Sequence, residues 1–387
     1  MRTIARQIKG AGIDRRRFLE FCTQLMIAAP YGLSITDKAT AQEVASEIGK
    51  SRRPSVIWLH FQDCTGCTET LLRTSRPDLV DVIMNVISLD YHETLMAGSG
   101  HQAEAALESA IKDNRGHFIL VVEGSIPTKD QGVYMKIAGR PAVQMLKDIG
   151  EDAAAIVAIG SCAAWGGIPS TNENPTGATG VDSIIKNKPI VNLPGCPPNP
   201  YTLLGTVLQY ARTSKLPELD TERRPKFAYD RTIHDHCPRR AHFDAGNFAL
   251  EYGDKGHREG WCLYKLGCKG PDTHAGCSTR HFNEIPDAWP IGVGAPCMGC
   301  TEKHIAFTIP ISHLIPIHEA TPAANYPPIE SAEGRPAYVA TGVAGLIIGA
   351  TLGGAWMASQ RIRSSQEAVQ ESPLKPPPPA KGGPWDG

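Results

Sequence analysis

The spacing of the cysteines constrains this chain more than any other feature of its sequence. Ten of its eleven cysteines lie between Cys64 and Cys300: Cys64-x2-Cys67, the singles Cys162, Cys196 and Cys237, then Cys262-x5-Cys268, Cys277 and Cys297-x2-Cys300. In 387 residues this is more thiol than an ordinary reduced core needs and far less than a small disulfide scaffold carries. Where the fold brings them together therefore decides their use.

Short apolar runs bounded by Gly, Pro or polar residues punctuate the first half of the body. They are Val56 to Leu59, Val82 to Ile87, Phe118 to Val122, Ala155 to Ile159 and Pro189 to Leu193. Such runs read as strands buried on both faces. Segments with helical spacing, Gln102 to Lys112 and Pro141 to Lys147, separate them. The alternation predicts an α/β fold, a flavodoxin-like parallel sheet domain over residues 42–220 with helices on both faces. In such sheets ligands collect beyond the carboxyl ends of the strands.

Cys64 and Cys67 follow the first of these strands, Cys162 the fourth and Cys196 the fifth, so four thiols are expected on one rim. Four thiolates from three strand ends suit an iron–sulfur cubane, and the adjoining glycines let backbone approach the sulfides. A four-cysteine zinc site or disulfides can use the same groups, although structural zinc more often takes two tight pairs than distant singles. After about residue 221 continuous apolar runs end and His, Cys, Gly and Arg become dense, as if cofactors replaced an apolar core over 221–330. Ligand counting suggests His234, Cys237, Cys262 and Cys268 as one set and Cys277, Cys297 and Cys300 as another, but spacing alone does not fix that grouping. His242, His257, His274 and His281 receive no role.

The two ends read as addresses. Asp14-Arg15-Arg16-Arg17-Phe18-Leu19-Glu20, a weakly apolar stretch to Ile35 and Ala39-Thr40-Ala41 resemble a twin-arginine export signal over residues 1–41; a mitochondrial transit peptide is the alternative, which Asp14 and Glu20 disfavour. Residues 337–359 carry no charge and are long enough to span a bilayer as a helix. Gly342, Gly345, Gly349, Gly353 and Gly354 suit a membrane helix better than a soluble one. Arg361 and Arg363 then place a disordered tail, residues 360–387 with Pro376 to Pro379, in the cytoplasm. A formal charge of -1 gives no reason to expect a nucleic acid partner.

Six motifs together resemble the small subunit of membrane-bound nickel-iron uptake hydrogenases. They are Cys64-Thr65-Gly66-Cys67-Thr68-Glu69, Val122-Glu123-Gly124-Ser125-Ile126-Pro127, Gly160-Ser161-Cys162-Ala163-Ala164-Trp165-Gly166-Gly167, Pro194-Gly195-Cys196-Pro197-Pro198-Asn199-Pro200, His234-Asp235-His236-Cys237 and Cys262 to Pro271. The resemblance implies a proximal [4Fe-4S] cluster on Cys64, Cys67, Cys162 and Cys196 and a distal [4Fe-4S] cluster on His234, Cys237, Cys262 and Cys268. It implies a medial [3Fe-4S] cluster on Cys277, Cys297 and Cys300, with Pro290 standing where a fourth cysteine would sit. It implies an oxidoreductase whose nickel-iron centre lies on a large-subunit partner, so that this chain relays electrons from dihydrogen and holds no catalytic residue. A heterodimer, or a dimer of two such heterodimers, is the assembly expected. The expected exit is a membrane cytochrome or an iron–sulfur, quinone-reducing subunit, with the body on the periplasmic side of the inner membrane. Gly66 and Gly167 stand where oxygen-tolerant relatives carry extra cysteines, which implies an ordinary proximal cubane and an oxygen-sensitive enzyme. Glu69 is a candidate for proton transfer, with a solvated or capping carboxylate as the plainer reading.

Overall fold

The computed structural model describes residues 53–74, 78–282 and 285–318. These belong to one compact unit that runs to Thr321; a second unit, Pro322–Gly387, lies outside the described residues, as do the stretches 1–41, 337–359 and 360–387. Among the described residues no helix is long and apolar enough to cross a membrane.

Five strands form a parallel sheet: β1 (Ser55–His60), β2 (Ser88–His92), β3 (Ile119–Glu123), β4 (Ala155–Ile159) and β5 (Ile190–Leu193), in the order β2-β1-β3-β4-β5. This is the flavodoxin-like order, in which the chain reverses direction across the sheet between β1 and β3. Successive side chains point to opposite faces, so each central strand feeds two cores. On one face Ile57, Leu59, Leu120, Val122 and Ile156 pack with Leu107 of α2 (His101–Asp113) and with Met145, Leu146 and Ile149 of α3 (Ala142–Asp152). On the other, Trp58, Ile119, Val121, Val157 and Val191 pack with Leu71 of α1 (Gly66–Leu72). Leu203, Leu204, Val207 and Leu208 of α5 (Pro200–Thr213) complete that second core. Asn199 caps α5, its side chain accepting the Tyr201 amide at 3.0 Å, and Pro200 opens the helix where its missing N–H costs nothing.

One expected strand is absent. Val82 to Ile87 forms a turn of π-helix (Val82–Val86), and the strand that pairs with β1 is the more polar Ser88–His92 just after it. Val82, Val86 and Ile87 face the core while Met84 is exposed, a pattern that suits a short helical turn. Strand β2 lies at the sheet edge, where Ser55 and Ser88 both donate to Asp90, so it reads as polar.

Candidate functional site

The register aligns His60 at the end of β1 with Glu123 at the end of β3, at the reversal point of the sheet. The rim beyond these ends carries Cys64 and Cys67 at the start of α1, Cys162 within α4 (Gly160–Trp165) and Cys196 after β5. The four thiols face one another. Burial pushes Cys67 well up, and the charges of Glu123, Cys162, Cys196 and Cys64 add to it. Burial likewise lifts Cys162 to about 11, with Cys196 and Cys64 contributing. Four thiolates collected here are unstable without positive charge between them, which a bound metal would supply.

The backbone is shaped to these sulfurs. Gly160 has φ +84°, and a Cβ there would lie 2.5 Å from the Cys67 sulfur. Gly167, at φ +53°, would bring a Cβ to 2.5 Å from the Cys162 sulfur. Only glycine admits both the left-handed backbone and the close approach. The cradle that results fits a sulfur-bound cluster.

Burial sets the other two groups. Cys277, Cys297 and Cys300 line a cavity of about 140 Å³ together with Cys196, Trp289 and Pro290. Burial raises Cys277 and Cys300 to about 12, the former further destabilised by Cys297 and the latter by Cys277. His234, Cys237, Cys262 and Cys268 line a second, smaller cavity together with Phe243 and Tyr264. Burial, followed by the Arg240 charge, lowers His234 to about 4, so its imidazole is neutral near pH 7 and free to act as a ligand. Its turn is fixed by a capping box, in which Thr232 Oγ1 accepts the Asp235 amide at 3.3 Å and Asp235 accepts the Thr232 amide at 3.0 Å.

The three groups form a row. Cys300 lies beside Cys196 of the first group, and Cys297 lies beside Cys268 of the last. The ten described cysteines are all free of disulfides. His242 stacks near Trp261, His257 bonds the Gly294 carbonyl at 2.8 Å, His274 bonds Glu302 at 3.2 Å and the His281 ring accepts the Asp287 amide at 2.9 Å. Glu69 is exposed on α1 and accepts Arg73 Nε at 2.7 Å.

Sequence reasoning gave Glu123 no role. Its carboxylate is buried, and it accepts the amides of Cys67 at 2.9 Å and Thr68 at 3.3 Å, the Thr68 hydroxyl at 2.6 Å and the Trp58 indole at 3.1 Å. His60 adds a hydrogen bond to Asp63 at 2.7 Å. His60, Asp63 and Glu123 bring their donor atoms within 4.8 Å of one another, but Glu123 is already saturated by protein donors. The network fastens the Cys64–Cys67 loop to the two central strands. A carboxylate ending an otherwise apolar strand run was the available signal.

A doubly wound sheet whose rim passes into rows of buried thiols defines an iron–sulfur protein of the electron-transfer class. Residues 64–210 match the family of the NADH ubiquinone oxidoreductase 20 Kd subunit, and residues 229–311 match the C-terminal family of the NiFe/NiFeSe hydrogenase small subunit. The Hydrogenase-2 small chain of Escherichia coli strain K12 is 46% identical over 361 residues, covering 93% of this chain and 96% of that one. The uptake hydrogenase small subunit of Azotobacter vinelandii is 44% identical, over 75% of this chain and 80% of its own. The reduced, active nickel-iron-selenium hydrogenase of Desulfomicrobium baculatum superposes with a TM-score of 0.60 at 34% identity, over 65% of this chain and 95% of that one. The chain belongs to the small subunits of the nickel-iron hydrogenases: an electron-transfer subunit, binding iron–sulfur clusters and paired with a large subunit, of an enzyme that takes up dihydrogen.

Proposed function

We propose that the three donor groups hold three clusters: a proximal [4Fe-4S] on Cys64, Cys67, Cys162 and Cys196, a medial [3Fe-4S] on Cys277, Cys297 and Cys300, and a distal [4Fe-4S] on His234, Cys237, Cys262 and Cys268. When bound, such clusters supply one-electron oxidation and reduction across a wide span of potentials. The observation that carries the reading is adjacency, Cys196 beside Cys300 and Cys297 beside Cys268, which orders the sites in a single row. Pro290 lines the medial cavity and brings no ligand atom, which supports three irons there. His234, held neutral, gives the distal site one ligand without negative charge, so that the protein sets different charges at the two ends.

The protein's own part is to hold the groups in place. Glu123 fixes the proximal loop, and the glycines at 160 and 167 let sulfur and backbone approach. The absence of room for a side chain at Gly167 supports an ordinary proximal cubane and an oxygen-sensitive enzyme. Glu69 stands in an exposed ion pair, which supports a solvated role; unchanged isotope exchange in Glu69→Gln would exclude it from proton transfer.

The ends complete the proposal. Residues 1–41 direct export through the twin-arginine route, 42–220 and 221–330 are the sheet and cluster domains, and 337–359 anchor the chain in the inner membrane with 360–387 in the cytoplasm. Electrons then leave the distal site toward a membrane cytochrome or quinone-reducing partner. The charge-free run of residues 337–359 and the arginines that follow it support this placement. Iron and acid-labile sulfide analysis of the purified subunit pair, corrected for the large subunit's iron, is expected to give about eleven irons in this chain. Electron paramagnetic resonance should resolve one oxidised three-iron signal and two reduced four-iron signals. A colourless protein, or zinc in place of iron, refutes the reading.

A further inference from the structure

Three segments that carry cysteines of the first two groups meet at one buried hydroxyl. Ser161, 2% exposed, precedes Cys162 in α4. Its Oγ accepts the Gly195 amide at 2.9 Å and donates to the Cys300 carbonyl at 2.5 Å, while its own amide donates to the Gly195 carbonyl at 2.9 Å. Gly195 precedes Cys196, whose backbone N–H reaches the Cys300 sulfur. One side chain therefore ties Cys162 and the Cys196 loop to the turn that bears Cys300, 139 residues away.

The other gap in the row is spanned differently. The Cys297 carbonyl accepts the amide of Lys269, the residue after Cys268, at 2.8 Å. That link is backbone to backbone and needs no particular side chain. At this second gap the Thr273 hydroxyl donates to the Lys269 carbonyl at 2.5 Å and also lies against the Cys297 sulfur; at the first gap Ser161 is the side chain that a substitution can remove.

Electron tunnelling falls off less steeply through covalent and hydrogen bonds than across open gaps, so small changes in such a contact alter the rate strongly. We propose that Ser161 is a positioning residue for electron transfer, its hydroxyl clamping Cys300 against the Cys196 loop and so setting the step between the proximal and medial sites. The inference rests on the ligand sets proposed above. The step passes one electron from the reduced proximal site to the oxidised medial site; no bond forms or breaks, and no proton moves. The hydroxyl does not itself touch either metal site.

The test uses the intact subunit pair carrying Ser161→Ala or Ser161→Thr. Paramagnetic resonance at stepped potentials reads the magnetic interaction between neighbouring clusters, and freeze-quench after hydrogen addition reads the rate of medial reduction. Ser161→Ala should weaken the proximal–medial interaction and slow medial reduction several-fold, with midpoint potentials and the medial–distal interaction unchanged. Ser161→Thr, which keeps the hydroxyl, should restore both. Should the alanine variant lose iron, loss confined to the proximal and medial sites and reversed by threonine supports the clamp; loss from all three sites overturns it. Full iron content with wild-type interaction and rate in Ser161→Ala also overturns it. A wild-type protein lacking these three cluster signals would instead overturn the ligand assignment.

Discussion

Arg224 provides the sharpest test of how the turn that bears Cys300 is held in place. Its buried guanidinium donates through Nη1 to the Thr301 carbonyl at 2.9 Å and to Glu302 at 2.7 Å, and through Nε to Asp220 at 2.7 Å. The group also lies over the Tyr229 ring, 5.6 Å from its centroid. Burial opposes its charge, but Glu302 and Asp220 outweigh burial and raise its pKa, so it is cationic at every working pH. Thr301 and Glu302 directly follow Cys300, which makes this cation the pin for the medial turn. Arg224→Met strands the carboxylate of Glu302 and the Thr301 carbonyl, a loss of about 3–5 kcal/mol for a broken buried pair. Glu302 keeps the His274 amide at 2.7 Å, which argues for the lower end of that range. At about 2–4 °C per kcal/mol, the midpoint should fall by about 6–12 °C. Cluster loss is irreversible, so the assay is bleaching of visible absorption at a fixed heating rate. Glu302→Gln added to Arg224→Met should recover about 1–2 kcal/mol, because the stranded charge is gone. Arg224→Lys should fall between, since an ammonium cannot reproduce the planar fork. A bleaching midpoint for Arg224→Met within about 2 °C of wild type, or a double variant no better than the single, refutes the argument.

Two further outcomes follow from local geometry. Gly160→Ala forces a Cβ to 2.5 Å from the Cys67 sulfur at a left-handed backbone position, and iron analysis should find the proximal site empty while the medial signal persists. Burial raises Glu93 to about 7, with the His60 charge pulling the other way and Asp63 and Glu104 adding to the rise. The protonated form is the stable folded one, so its contribution is complete below the unfolded value near 4.5 and is lost as pH rises through about 7. Glu93→Gln should therefore raise stability at pH 8 by about 1–2 kcal/mol after allowance for solvent screening, and leave it unchanged at pH 4, as read from bleaching midpoints across that range.

What the sequence revealed and what it hid have physical reasons. Ala155 to Ile159 is apolar on both faces and coincides with β4, because a central parallel strand has no solvent side to advertise. Cys162 and Cys196 follow strand ends through Gly160 and Gly195, so their convergence was readable from order alone. The edge strand was not readable: Asp90 accepts hydrogen bonds from Ser88 and Ser55 near the amino-terminal ends of the strands, and the apolar run before it is a helical turn. The role of Glu123 was equally hidden, since a carboxylate's four donors come from Trp58, Cys67 and Thr68, more than fifty positions away. The Ser161 to Cys300 bridge spans 139 residues and leaves no local trace. Periodicity reports which face a residue presents; it does not report which distant backbone group that face will meet.

The two halves of the described unit also differ in what replaces water inside them, and this leads to a test by iron removal. The sheet has two apolar cores, built from β1, β3, β4 and their covering helices, that involve no donor group beyond Cys67 at the margin. The cysteine-rich half has one smaller cluster of buried residues, and Cys237, Cys268 and Cys297 are themselves members of it beside Ile233, Leu263, Trp289 and Ile291. Take the iron away and those thiols remain buried against one another, with their charged forms disfavoured by burial and by mutual repulsion. Binding energy from ligands that are assembled only in the folded state is folding energy. Chelated, iron-free chain should therefore keep slow amide exchange in β1, β3 and β4 while exchange over residues 229–311 becomes fast. Lys269 should report the loss early: its buried ammonium donates to the carbonyls of Gly267 at 3.1 Å, Pro310 at 3.0 Å and Ile311 at 2.8 Å, a cage that closes only when the cluster-bearing turns are in place. Uniform protection across both halves after iron removal would mean that apolar packing alone folds the second half, and the role assigned to the metal in building it would be wrong.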